Sequence, residues 1–300
     1  MTGVRQMKGE NVFKGVACVV SGGILWGFSG TCGQYLMSRC GVDAGWLTSA
    51  RTILSGGLLL LFCCWHNRKS VFAIWHSWPD IVRLLAFSIL GILLCQFSYL
   101  KAIFYTNSGM ATILQYTGPI MILVFTCLRT GRLPRRNEAI AIGLAVLGVF
   151  LLATHGDVRS MVVTPEGLFW GLLSAAGLAC YTLVPGQLLQ KYGTMTAVGW
   201  AMFICGVVFC VLRQDWNNTV PLDMGGLAAL ASLVFLGTLV AFSLYLQGVK
   251  EIGPVRGSML ATVEPVSATV CMVVWLGTAF GIMDAAGFVC VLATIFLLAK

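Results

Sequence analysis

Long apolar stretches follow one another along the chain, separated by short polar or Pro/Gly-containing breaks. A helix that crosses a bilayer needs about 20 mostly apolar residues, and ten segments approach that length. The first, from Phe13 to Leu36, is too long for the apolar region of a signal peptide. The pattern therefore predicts an all-α integral membrane protein of ten transmembrane helices. The predicted spans are residues 15–36, 44–65, 83–103, 109–128, 138–154, 166–189, 195–212, 225–247, 257–276 and 283–299.

The composition excludes a soluble globular protein. Hydrophobic residues make up 58% of the 300 residues and charged residues only 10%, against about 25% charged in soluble domains. The mean hydropathy is +0.88, and 35 glycines suit the close approach of membrane helices. The net charge of +8 comes from Lys and Arg in short loops between apolar spans, so we expect a lipid bilayer and no nucleic acid as partner.

The distribution of Lys and Arg predicts the orientation, because cytoplasmic loops carry the excess. With the N-terminus inside, fourteen lie on the inner side, four on the outer side, and Arg51 lies within a span. Ten helices with both termini in the cytoplasm fit this asymmetry. The outer four are Arg39, Lys101, Arg159 and Arg213.

The two halves of the chain show weak internal similarity. Residues 33–36 resemble residues 186–189 at an offset of 153, whereas Pro119 and Pro265, and also residues 150–153 and 296–299, match at an offset of 146. We interpret this as five helices plus five. Because five is odd, the second repeat has inverted topology, an arrangement that favours alternating access to a central cavity.

A set of motifs resembles EamA-type members of the drug/metabolite transporter superfamily, in a bacterial branch. The motifs are Trp26-Gly27, Arg51, Pro119, Pro265, Thr154-His155-Gly156-Asp157 and the run 165–171. The resemblance implies two EamA repeats, at 13–154 (helices 1–5) and 165–299 (helices 6–10), in the bacterial cytoplasmic membrane. It also implies transport of small metabolites such as amino acids, often outward.

The chain departs from that family pattern in two places. Many members carry an acidic residue just after the fourth and ninth helices, where this chain has Arg129-Thr130-Gly131-Arg132 and Leu276-Gly277-Thr278. The first span holds no acidic residue, so the proton-binding carboxylate of the small multidrug exporters cannot be carried over.

Two charged residues within the spans are the first functional candidates, because charge inside a bilayer costs several kcal/mol unless it faces a cavity or a partner. Arg51 lies about seven residues, on the order of 10 Å, from the outer end of helix two. It either binds a substrate carboxylate or phosphate bidentately, or snorkels to the interface or pairs with a neighbouring helix.

Glu264 lies near mid-depth in helix nine, directly before Pro265. It either takes up a proton or binds a substrate amine, or it hydrogen-bonds backbone groups that the proline frees. An ion pair between Arg51 and Glu264 is a further alternative.

Pro119 and Pro265 predict kinks in helices four and nine, since each lacks a backbone donor. Polar and aromatic residues on the spans complete the predicted cavity; for each one singly, interhelical packing or hydrogen bonding is the alternative role. They are Trp26, Ser29, Gln96, Tyr99, Gln115, Tyr116, Thr117, Tyr181, Trp200, Ser258 and Thr262.

Other chemistry has little support in the sequence. Eleven of the twelve cysteines lie in apolar spans and no CxxC occurs, which argues against disulfides or a zinc site. The three histidines lie outside the spans, and P-loop, GxSxG and HExxH motifs are absent. We therefore expect no cofactor, no metal and no enzymatic activity.

The repeat, the charged residues within the spans and the family resemblance together predict a secondary transporter, most readily an exporter, that moves small organic metabolites such as amino acids by alternating access. A ligand-sensing membrane receptor that transports nothing is the alternative. Substrate, direction, proton coupling and oligomeric state stay open at this point.

Overall fold

A computed structural model describes residues 9–154, 163–217, 220–252 and 260–298 and is all-helical over those ranges. The first half contains α1 (Gly9–Ser38), α2 (Ala44–Phe72), α3 (Trp78–Ala86), α4 (Leu94–Tyr105), α5 (Ser108–Gln115), α6 (Gly118–Thr130) and α7 (Arg136–Thr154). The second contains α8 (Pro165–Leu183), α9 (Gly186–Tyr192), α10 (Thr194–Arg213), α11 (Met224–Val234), α12 (Ala241–Ile252), α13 (Val263–Leu276) and α14 (Ile282–Leu298).

Seven of the ten predicted spans correspond to helices long and apolar enough to cross a membrane. An eighth corresponds to α8 and α9, which are bent by 47° at a short break. The last two correspond to shorter apolar helices, Val263–Leu276 and Ile282–Thr294. Large apolar side chains such as Leu61, Val146 and Val289 are more than 60% exposed. In a chain of this hydropathy such side chains face lipid, and the protein is a multi-pass membrane protein.

Two turn residues come directly before each of the two helices that carry Pro119 and Pro265. Helix α5 ends at Gln115 and α6 begins at Gly118, so Pro119 lies in the first turn of a new helix. Pro265 is likewise in the first turn of α13. A proline costs nothing there because first-turn N–H groups have no partner within the helix.

The turns that follow α6 and α13 have the same construction. Gly131 and Gly277 end α6 and α13 in the left-handed conformation, with φ of +62° and +66°. Four residues later, the N–H of Arg135 donates to Glu138 at 2.7 Å and the N–H of Gly281 donates to Asp284 at 2.8 Å. Each pair is separated by 146 residues, the offset seen in the sequence repeat.

A second structural repeat occurs in the third helix of each half. The long helix Trp78–Tyr105 contains a π-helical segment at Phe87–Leu93, and Met224–Tyr245 contains one at Phe235–Val240. π-Helical segments inside α-helices frequently mark functional sites. Ile92 of the first segment lines the central cavity described below, and so does Phe242, two residues after the second segment.

Helices α7 and α14 pack closely through glycine. A Cβ at Gly148 would lie 2.9 Å from the carbonyl oxygen of Gly287, and one at Gly287 would lie 2.9 Å from the carbonyl oxygen of Gly148. Such small-residue contacts are how membrane helices associate, since lipid supplies no hydrophobic drive between them.

Candidate functional site

A cavity of about 640 Å³ lies between the helices near the middle of the bundle. Its volume suits a small organic molecule. It brings together nine of the predicted site residues: Trp26, Arg51, Gln96, Tyr99, Gln115, Tyr116, Pro119, Tyr181 and Glu264. It is also lined by residues that were not predicted from the sequence: Gly30, Ile92, Cys95, Ile122, Leu178, Thr182, Met202, Phe242, Tyr245 and Ala261.

Arg51 contributes a cation to the cavity wall. It sits in the second turn of α2 and is half-buried against the cavity. Among the described residues, no carboxylate oxygen comes within 4.0 Å of its guanidinium, so the predicted alternative of a direct Arg51–Glu264 ion pair is not formed. A guanidinium in this position presents a planar fork of donors to the cavity.

Glu264 faces the same cavity from the first turn of α13, where the helix N-terminus favours a negative charge. The Tyr116 hydroxyl, at the break between α5 and α6, lies 3.1 Å from its Oε2 and 3.0 Å from the Ala261 carbonyl oxygen. That carbonyl also accepts the N–H of Glu264 at 2.9 Å. Tyr116 therefore connects the turn before α6 to the turn before α13.

The single hydroxyl proton of Tyr116 can serve only one of its two acceptors at a time. With Glu264 ionised, Tyr116 donates to the carboxylate. With Glu264 protonated, Tyr116 can donate to Ala261 and accept from the carboxyl group. Both protonation states thus keep their hydrogen bonds, which suits a carboxyl group that gains and loses a proton.

Other polar groups of the wall are held in place by neighbouring helices. The Gln115 side-chain amide donates to Ser174 Oγ at 2.7 Å, and the Tyr99 hydroxyl shares a 2.8 Å hydrogen bond with Thr112 Oγ1. Gln115 also lies 3.4 Å from the Cys95 sulfur. These contacts fix the direction in which the wall presents its polar atoms.

Aromatic rings cover the side of the cavity next to Glu264. Trp26 packs edge-on against Phe242 at 5.2 Å and tilted against Tyr245 at 5.0 Å between ring centroids. The repeat carried a signal for both missed aromatics, because Phe242 and Tyr245 follow Gln96 and Tyr99 by 146 residues. Applying the offset to the predicted residues of helix three would have found them.

Four predicted site residues lie elsewhere. Ser29 is buried against Gly237, and its hydroxyl has no hydrogen-bond partner among the described residues. Trp200 donates from its indole to the Val71 carbonyl oxygen at 2.9 Å, away from the cavity. Thr262 lines a separate apolar groove on the outside of the bundle. Pro265 is buried within α13.

Two further predicted positions are also absent from the cavity wall. Thr117 is the buried residue before α6, and Ser258 lies outside the described residues.

The cavity is closed at one end by a packed apolar layer. Leu36, Leu47, Leu100 and Leu233 are fully buried there, where α1 ends and α2 begins, and Tyr99 belongs both to this layer and to the cavity wall. At the opposite end, exposed Thr182 lines the cavity one residue before α8 ends.

Gln34 joins three segments at the closed end. Its Oε1 accepts the N–H of Ser108 at 2.8 Å, and its Nε2 donates to Thr278 Oγ1 at 3.2 Å. These bonds connect α1 to the start of α5 and to the turn after α13. Gln187, its counterpart in the sequence repeat, is exposed and makes no side-chain hydrogen bond to the part of the chain that the structure describes.

Comparison with known proteins identifies the family. The sequence model of the EamA-like transporter family matches residues 13–154 and again residues 165–300. The chain belongs to the EamA-like transporter family. The resemblance seen in the sequence is thus confirmed, and this EamA protein is a membrane transporter; its family and relatives indicate transport rather than enzymatic catalysis.

Two relatives of this EamA chain are themselves named as transporters. It is 33% identical to the uncharacterized inner membrane transporter YicL of Salmonella typhimurium, over 95% of each chain. It is 25% identical to the uncharacterized inner membrane transporter YedA of Escherichia coli K12, over 86% of this chain and 80% of YedA. A solved crystal structure shares the fold, with a TM-score of 0.62 at 17% identity over 95% of this chain and 96% of that one.

Proposed function

We propose that this EamA transporter is a secondary carrier that exports small organic metabolites such as amino acids by alternating access. Ten spans form two inverted five-helix repeats in a bacterial cytoplasmic membrane, with both termini in the cytoplasm. The observation that carries the proposal is the central cavity, which is closed at one end and holds a separate carboxyl group and a guanidinium that pairs with no carboxylate in the described ranges.

The cavity chemistry supports a small substrate with polar and apolar parts. Arg51 binds a carboxylate of the substrate through two parallel hydrogen bonds. Trp26, Phe242 and Tyr245 pack against its apolar part or against an ammonium group, which aromatic faces attract. Glu264 binds either that ammonium group or a proton.

The closed end supports alternating access. In the proposed orientation, the side held by Gln34 faces outward, so the structure corresponds to a state open toward the cytoplasm. Exchange of the two repeat conformations releases Gln34 from Ser108 and Thr278, and it brings Gln187 into the equivalent role at the inner end. Substrate loaded from the cytoplasm is thereby released outside.

The Tyr116–Glu264 pair supports coupling to protons. Release of a proton from Glu264 restores the charge that holds an ammonium group, so proton and substrate compete for one carboxylate. An inwardly directed proton gradient then drives substrate outward.

The proposal is tested by flux in proteoliposomes across a metabolite panel, with and without an imposed proton gradient. We expect gradient-driven transport for the wild type, none for Glu264→Gln, and wild-type behaviour for Glu166→Gln, an exposed acid at the start of α8. If the wild type and Glu264→Gln transport substrate at the same rate and that rate does not depend on the gradient, Glu264 is structural and the protein is a facilitator. Binding without any flux would contradict transport and favour a ligand sensor.

A further inference from the structure

The connection between α6 and α7 is the most basic segment of the described chain. Residues 129–136, here called the arginine loop, contain Arg129, Arg132, Arg135 and Arg136. All four are exposed. The acid that contacts this loop is Glu138, which holds Arg132 through two hydrogen bonds of 2.7 and 3.0 Å.

Three of these arginines have unused donors. The side chains of Arg129, Arg135 and Arg136 make no hydrogen bond or ion pair with any residue in the described ranges. Each guanidinium carries five donors arranged in a planar fork. Within the described ranges, the loop therefore carries three arginine charges that form no ion pair.

The second repeat shows that the turn does not need this charge. The turn after α13 has the same left-handed glycine and the same acid-capped N–H, at an offset of 146 residues. At the positions equivalent to the four arginines it has Trp275, Thr278, Gly281 and Ile282. The turn is thus built with and without Arg129, Arg135 and Arg136, so its construction does not explain these three arginines.

The position of the arginine loop indicates its partner. The candidate spans end at Thr130 and begin again at Arg136, so the loop lies at the boundary between hydrocarbon and water. Leu128 and Leu133, on either side of Arg132, are 77% and 89% exposed. Lipid phosphates lie at this depth, directly above acyl chains that can cover the two leucines.

We propose that the arginine loop is a binding site for anionic phospholipid headgroups. Arg129, Arg135 and Arg136 bind the phosphodiester oxygens through charge-assisted hydrogen bonds, while Leu128 and Leu133 contact the acyl chains of the same lipids. Guidance of membrane insertion by positive charge is the competing explanation for the arginines, and it requires no bound lipid.

The test is native mass spectrometry of the purified full chain in detergent, titrated with phosphatidylglycerol, phosphatidylcholine or inorganic phosphate. Insertion orientation does not enter in detergent. We expect phosphatidylglycerol to bind preferentially, and the triple variant R129Q/R135Q/R136Q to lose about tenfold or more in that affinity. Lys14→Gln, which removes another exposed basic residue, should leave it unchanged.

Several outcomes would overturn the proposal. Equal binding of phosphatidylglycerol and phosphatidylcholine by the wild type, or undiminished phosphatidylglycerol binding by the triple variant, would leave insertion as the role of the arginines. Equal affinity for inorganic phosphate would show an anion site without lipid contact. If the triple variant does not fold, the single variants R129Q, R135Q and R136Q are each expected to weaken binding by a part of the total.

Discussion

At the scale of single residues, a charged group inside a membrane is informative because its cost must be offset by what it faces. Arg51 and Glu264 both face the cavity, although they are separated along the chain by more than 200 residues. Ser29 and Thr262 are polar but uncharged, and neither of them lines the cavity. A hydroxyl can be buried between helices or bonded to its own backbone at low cost, whereas a guanidinium cannot.

Arg51 is expected to set affinity for the carboxylate of the substrate. For a carboxylate-bearing metabolite found in the flux panel, Arg51→Gln should raise the half-saturation concentration tenfold or more, since a hydrogen bond to a charged group contributes about 1.5–3 kcal/mol. The half-saturation concentration of Arg51→Lys should lie between those of the wild type and Arg51→Gln, because lysine keeps the positive charge but cannot donate two parallel hydrogen bonds. Arg39→Gln, an exposed residue outside the cavity, is the control. Equal half-saturation for Arg51→Gln and wild type would assign Arg51 to packing.

The Tyr116 hydroxyl is expected to influence the pH dependence of transport through its hydrogen bond to Glu264, but not to be required for transport itself. Tyr116→Phe keeps the ring and removes the hydroxyl that lies within 3.1 Å of Glu264. The ionised carboxylate then loses a donor, so flux should respond to a proton gradient over a shifted pH range. If Tyr116→Phe and the wild type have the same pH profile of flux, the Tyr116 hydroxyl has no role in proton coupling.

At the scale of elements, the two repeats use the same devices at the same positions. Both have a π-helical segment in the third helix, a turn shortly before proline, and a left-handed glycine followed by an acid-capped turn. The sequence predicted kinks at the prolines, and these stay a prediction; the structure shows a two-residue turn before α6 and before α13. Each turn is followed by a helix N-terminus whose first turn contributes a residue to the cavity wall.

The contact between α7 and α14 is expected to tolerate no side chain at Gly287. Gly287→Ala would place a Cβ within 3.0 Å of the Gly148 backbone, so we expect about 1–3 kcal/mol of destabilisation and a lower midpoint of thermal unfolding. Gly143→Ala is the matched control on α7, where a Cβ would meet nothing within 4 Å. It should leave the midpoint unchanged or raise it. A Gly287→Ala midpoint at or above that of Gly143→Ala would contradict the packing argument.

At the scale of the whole molecule, the arrangement is asymmetric in a way that one repeat alone would not show. Gln34 is bonded to two other segments at the closed end, whereas Gln187 is exposed at the other. Two copies of one structural unit thus hold different conformations in one state. That difference is what a carrier of the proposed type exchanges between its two states.

Gln34→Ala is expected to open the closed end. The test uses right-side-out membrane vesicles and a membrane-impermeant maleimide. Cys95, which lines the cavity, should be labelled several-fold faster in Gln34→Ala than in the wild type, as measured by peptide mass spectrometry. Gln187→Ala should not raise that labelling, because the exposed Gln187 side chain makes no hydrogen bond to the described part of the chain. Unchanged labelling of Gln34→Ala would show that the apolar layer alone closes the cavity.

The sequence by itself determined membrane embedding, the internal repeat, the family resemblance and most of the polar cavity residues. Hydropathy and the rarity of charge carry those conclusions, because both are set by the bilayer and not by the details of packing. It also contained the signal for Phe242 and Tyr245, through the offset of 146.

Only the tertiary structure decided which face of each helix lines the cavity and which end of the cavity is closed. Lipid and the interior of a helix bundle are equally apolar, so hydrophobic periodicity does not separate them in a membrane protein. Trp200 and Tyr181 are both aromatic residues within apolar spans. Trp200 donates a hydrogen bond to a backbone carbonyl, whereas Tyr181 lines the cavity. Contacts between residues far apart in the chain made that distinction, since no local pattern records them.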